Sequence, residues 1–358
     1  MRKIYWCTLF AFLVFSRVGY GQVGSNCAQT LRLARLTYDQ GRLHELPALL
    51  EGCLTSTDTK NSFTKQEKTD AYRLLTLTYI YLEEPAQADK AMISLLEADH
   101  FFKVNKDVEP AEFIALYNKF RTKAIFNVGV KIGVNSTSAS VQSNYYVGSN
   151  GVGKGKFSPN PALNFGVAFE KDIKGRFVFG PELIYTAKNM TYDNPSLLLS
   201  DVTIDAPILT NTTNIKQNWL DVNLLVQYKL KSTTVSPFVA IGPGFNLLLG
   251  STYEGIQTAR EANNTTITGS TLDSKKSFNT LAYSAIVAAG LRVQLGAIYV
   301  TGDIRYQYGL SNVVNSSSRT NLDAGFDYAF TVPNYKHNTI MINVGVLYPI
   351  FKPKKLVN

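Results

Sequence analysis

The stretch AIFNVGVKIGVN, residues 124–135, decides the fold. In it Phe126, Val128, Val130, Ile132 and Val134 alternate with Asn127, Gly129, Lys131, Gly133 and Asn135, giving an extended chain one apolar and one polar face. An alternation of period two marks a strand, whereas period 3.6 marks a helix. From Lys123 onward period two prevails, and seven more segments carry it: 163–170, 176–188, 220–230, 235–249, 283–295, 298–309 and 340–350. The spacing therefore predicts eight strands, most of them as long as the nine to eleven tilted residues that cross a bilayer.

The composition of the two faces and the connections between strands set the class. Leu163, Phe165, Val167 and Phe169 share the apolar face of the second strand, and Ile340, Ile342, Val344 and Val346 that of the last. The opposite faces carry Lys131, Glu170, Glu182, Lys188, Asp221, Lys229, Arg292, Asp303 and Arg305. A soluble sandwich also alternates, so the faces alone leave two solutions. The connections choose between them. Tight turns at 172–175, 232–234 and 296–297 alternate with long polar loops near 136–160, 190–214, 250–278 and 311–337. Short turns at one end and long loops at the other, around an even number of strands, are the pattern of an outer-membrane barrel. Tyr185, Tyr283 and Tyr308 fall near one end of the lipid face, and Phe169, Phe177, Tyr228 and Tyr348 near the other, as interfacial girdles do.

An eight-stranded interior is only wide enough for side chains to fill, so the nine inward charges are expected to pair across the lumen and plug it. Trp219, Leu225 and Phe238 add bulk on the same face. Ion transport through such an interior is the less favoured reading, because unpaired buried charges cost several kcal/mol each.

Ahead of the barrel, residues 22–122 follow the helical period. Ala71, Leu74, Leu75, Thr78, Tyr79 and Leu82 recur at three and four, and Pro85 occupies a favoured first helical position. Helices are expected at 27–41, 44–54, 65–83 and 85–98, as two helical hairpins, with a fifth in EPAEFIALYNKFRT at 109–122. This resembles a tetratricopeptide array with a capping helix, which implies a groove for a protein partner; the alternative is a helical spacer packed against whatever follows. The fold class expected is α+β in separate domains: an all-α, helical-hairpin unit, then the transmembrane β-barrel over 123–351 and a tail, 352–358.

Met1, Arg2 and Lys3, the apolar run 4–15, and Gly19 and Gly21 before Gln22 have the layout of a secretory signal peptide, residues 1–21. Of three cysteines Cys7 lies in that leader, leaving Cys27 and Cys53, an even pair in an exported chain, to bridge the first two helices. His44, His100 and His337 stand at no ligand spacing from a cysteine or one another, so no metal is expected. The net charge of +9, with 45% hydrophobic and 18% charged residues, excludes wholesale disorder and does not suit a nucleic-acid binder.

GPELIYTAKNM at 180–190, DIRYQYGLSNV at 303–313 and the closing NVGVLYPIF resemble the PorT-like outer-membrane barrels of Bacteroidota, as does the segment EPAEFIALYNKFRT. The resemblance implies a barrel and, by analogy, a role in secretion or surface assembly. No cofactor or small-molecule substrate is expected. GSNGVGKG at 148–155 mimics a phosphate-binding loop, but Gly155 replaces its Ser or Thr and no helix follows. Ser316, Ser317, Ser318 and His337 lack an acidic orienter at a recognisable spacing, so no catalytic residue is assigned. The resulting expectation is a non-enzymatic anchor in the outer-membrane lipid whose helical domain meets an unidentified periplasmic protein. The alternatives are a surface receptor or adhesin using the long loops, and, less favoured, a small lipid-modifying enzyme.

Overall fold

The computed structural model describes residues 26–56, 58, 62–145, 155–197, 209–230, 234–259, 265–319 and 331–356. The expected leader, residues 148–154 of the glycine-rich stretch and turn residues 232–233 lie outside them. The chain divides after Lys123 and again after Phe351, so the tail belongs to the helical unit.

That unit contains α1 (Asn26–Asp39), α2 (Leu46–Thr55), α3 (Lys65–Tyr81), α4 (Pro85–Ala98) and α5 (Ala111–Tyr117). Gly41, at φ +74°, turns the chain after α1 in the left-handed region that glycine enters without penalty. Thr64 and Glu67 form a reciprocal capping box that starts α3, with Thr64 N–H donating to Glu67 at 2.9 Å. Ala34, Leu46, Leu50 and Ala71 form one core and Leu77, Met92, Leu95 and Phe113 another. The five consecutive residues Leu74 to Thr78 are all buried, so the middle of α3 is covered on every side. Part of that cover is the chain after α4: Arg73 donates twice to Glu109, at 2.6 and 2.9 Å. The middle of α3 is thus covered in part by the protein's own chain.

The fifth helix is shorter than the expected 109–122. Its last residues turn extended because they pair with the tail. Arg121 N–H donates to Lys354 O at 2.9 Å, Leu356 N–H to Lys119 O at 2.7 Å, and the Arg121 guanidinium to Lys352 O at 2.7 and 3.1 Å. Phe120 is buried at this junction, and Lys355 pairs with Asp89.

The second unit has eight long antiparallel strands: β1 (Phe126–Ser143), β2 (Lys156–Lys174), β3 (Phe177–Leu197), β4 (Leu209–Lys229), β5 (Val235–Ala259), β6 (Leu281–Leu295), β7 (Ile298–Gly309) and β8 (Asn334–Ile350). Each pairs with its sequence neighbours, and β1 closes the ring on β8 from Phe126↔Ile350 to Ser143↔Asn334. Among the described residues no helix is long and apolar enough to cross a membrane.

Several strands exceed their expected lengths, mostly at the end away from the termini. β3 and β4 pair as far out as Leu197↔Leu209, and β5 runs 25 residues where 235–249 was expected. The expected loop at 250–278 also holds two short strands, Thr265–Thr268 and Leu272–Asp273. In these extensions the outward face no longer needs to be apolar, so Thr212 and Asn214 flank buried Thr213 and the strand keeps its ladder without an apolar outer face to announce it. At the other end the expected turn at 172–175 shifts to Gly175 and Arg176, because β2 runs to Lys174. Gly175 and Gly296 take φ +61° and +57° in two-residue hairpin turns, which require that sign.

Candidate functional site

The strand parity set out above points each inward residue at the lumen. Lys131, Glu170, Glu182, Lys188, Asp221, Arg292, Asp303 and Arg305 are buried there, while Val130, Ile132, Leu163, Phe165, Ile304 and Val344 on the opposite faces are exposed. A sheet with charges inside and apolar side chains outside is turned inside out relative to a soluble protein. Only a hydrocarbon surround makes that arrangement favourable.

The charges stand in three layers. At the centre Lys131 of β1 donates to Glu182 of β3 at 2.6 Å and to Asp303 of β7 at 3.2 Å. Arg305 closes the square, donating to Glu182 at 2.6 Å and to Asp303 at 2.8 Å, and Asn343 of β8 donates to Asp303 at 3.0 Å. Two cations and two anions thus neutralise one another across the interior. The stem of Lys131 needs the bare position opposite: a Cβ on Gly345 would lie 2.8 Å from Lys131 Cγ. Toward the termini Arg292 pairs with Glu170, which also accepts from Gln227 at 3.0 Å. Toward the loops Lys188 lies 3.6 Å from Asp221, which accepts from Thr186 at 2.9 Å and Asn246 at 2.6 Å. Its ammonium also sits over the Trp219 ring, 5.4 Å from the centroid.

Lys229 departs from this set. It is the last residue of β4, half-buried at the rim, and pairs at 2.8 Å with Asp172, which alternation did not mark as a lumen residue. A charge at a strand end escapes the lumen because its long stem reaches solvent.

A second closure was not expected from the sequence. At the loop end Met190, Tyr192, Ile215, Trp219, Leu248 and Tyr253 of the strands pack with Phe278, Val313, Val314 and Val332 of the connecting segments. The side chains of Asn279 and Asn312 hold these segments down by donating to backbone carbonyls, at 3.1 Å to Asn312 O and 3.0 Å to Val314 O respectively. Single apolar residues in polar loops have no period to reveal them. Their burial beneath paired strands is a tertiary fact.

His337 is buried beside this layer, its ring 5.5 Å from both Trp219 and Tyr335. Ser316–Ser318 form a 3₁₀ turn with no buried residue, and among the described residues no hydrogen bond joins His337 to them. In the helical unit Cys27 and Cys53 form a disulfide, Cα atoms 5.7 Å apart. The outer face of α1 leaves Leu33 and Leu36 exposed one turn apart.

The profile of the outer membrane protein beta-barrel domain family matches residues 118–315, more than half of the 358-residue chain. Among solved structures the chain is similar to OprG of Pseudomonas aeruginosa, at 14% identity and TM-score 0.36, covering 64% of this chain and 98% of that one. It is also similar to neisserial surface protein A (10%, TM-score 0.30, covering 63% and 97%). A third is Ail of Yersinia pestis (10%, TM-score 0.26, covering 63% and 99%). No curated protein matches the chain.

Proposed function

The chain belongs to the outer membrane protein beta-barrel family, a barrel of the bacterial outer membrane, and from that premise we propose that it is a non-enzymatic anchor. Its closed barrel holds a disulfide-clamped helical unit in the periplasm, where that unit docks a protein of a secretion or envelope-assembly system. The observation that carries this reading is the filled lumen. A neutralised charge square and an apolar far-end layer occupy the interior, which leaves the surfaces outside the barrel to act. The periplasmic side follows from parity, because both ends of an eight-stranded barrel emerge beside the two-residue turns, and in this family short turns mark the periplasmic end. On the helical unit the exposed Leu33 and Leu36 offer an apolar contact, since α3 is already covered.

One observation favours the receptor or adhesin reading. β3, β4 and β5 have 21, 21 and 25 residues, about twice the membrane requirement, so a paired sheet stands out beyond the girdle. Photo-crosslinking residues placed singly at Leu36 and at Lys276 in living cells separate the two. Under the anchor reading Leu36 gives a discrete protein adduct and Lys276 none. Adducts at Lys276 alone move the function to the loops.

A further inference from the structure

The lipid-facing wall carries a trough of about 670 Å³ that crosses β8, β1, β2, β3 and β4. Two in-register rows build it. One runs Val344, Ile132, Phe165, Tyr185, Leu220 and the other Val346, Val130, Val167, Leu183. The Phe165 and Tyr185 rings, centroids 5.0 Å apart, stand as a wall on one side, while the short branched side chains of β1 and β8 leave the depression beside them. Lys131, Gly166 and Gly345 border the trough from lumen-facing positions, so the backbone beneath is already paired in the ladder.

We propose that this trough is a fixed seat for one acyl chain of a membrane lipid. It is continuous with the belt that faces hydrocarbon. Apart from the Tyr185 phenol its outward side chains are all apolar, so it offers nothing to a headgroup or to the unpaired backbone of an extended peptide, which hydrocarbon does not tolerate. Five strands about 4.8 Å apart span roughly 19 Å, which gives the trough an elongated outline. Its volume lies within the range of small-molecule sites, about 300–1,000 Å³. Tyr185, expected in one of the two girdles, brings the one hydroxyl among the outward side chains to where the chain would join its polar headgroup.

The test uses the full chain refolded into phospholipid vesicles doped with a phospholipid bearing a diazirine on one acyl chain. After photolysis, peptides are mapped by mass. Val130, Ile132 and Val344 are 61%, 62% and 54% exposed, and Ile241, Val287 and Ile304, outside the trough, are matched at 66%, 55% and 60%. Labelling at the first three is expected to exceed that at the second three by about threefold or more. Val344→Trp, which fills the trough, is expected to bring it down to the control level while the folded barrel keeps its heat-modifiable gel migration. Equal labelling of both sets in the wild-type protein overturns the proposal, and that comparison stands even if the variant does not fold. Cross-links through Val130 and Val344 to a second copy also overturn it, by assigning the trough to a protein contact.

Discussion

Replacing Arg305 by Leu is expected to weaken the barrel by about 3 kcal/mol, because removing one partner of a buried ion pair leaves the other uncompensated in a low dielectric. The loss is larger than a single contact suggests. Arg305 serves both Glu182 and Asp303, and without it Lys131 alone must answer two carboxylates. The shared square also dictates the rescue. Exchanging charges between positions 182 and 305 would set a cation against Lys131 and an anion against Asp303, so it should recover little. Glu182→Gln combined with Arg305→Leu leaves Lys131 facing Asp303 as a neutral pair, and should recover most of the loss. Urea titrations in vesicles can follow Trp219, buried in the lumen and accompanied in the sequence only by Trp6 of the expected leader. A single substitution that leaves the midpoint unchanged would refute the network's role.

Replacing both Cys27 and Cys53 by Ser is expected to cost the helical unit roughly 3 kcal/mol in the chain-entropy picture, given the sequence separation of 26 between the bridged residues. The effect should be confined to that unit. The bond joins α1 to α2, and Cys27 packs with Leu31, Leu46 and Leu50 in a core made wholly of helical-unit residues. The helical circular-dichroism signal should melt at lower urea while Trp219 fluorescence keeps its midpoint. If both transitions shift together, the two units do not unfold independently and the assignment of the clamp to one of them fails.

How much of this was legible in the sequence depended on solvent contrast. β1 is readable because Val128, Val130, Ile132 and Val134 meet hydrocarbon while Asn127, Lys131 and Asn135 meet the lumen, and two such different surroundings impose strict alternation. The outer half of β4 lacks that contrast: Thr212, Asn214 and Lys216 make its outward face polar, and Thr213 and Gln217 interrupt Ile215 and Trp219 on the buried one. The central charges were legible as inward residues from parity alone. Their grouping into a square was not, because register between β1, β3 and β7 depends on shear around the whole ring. Phe278 and the pair Val313 and Val314, which help close the far end, sit among polar residues with no period around them. The helical period placed four helices to within a few residues. It could not show that α5 ends early, since the cause, a tail more than 230 residues farther on, is nonlocal.

A barrel closed at two levels should pass no ions, which current across a planar bilayer reads out. The full-length protein, inserted at single-molecule density, is predicted to show no steady conductance at moderate voltage, because both the charge square and the far-end apolar layer would have to open together. Reproducible, ion-selective openings that vanish in Arg305→Leu would contradict it and make the lumen a pathway.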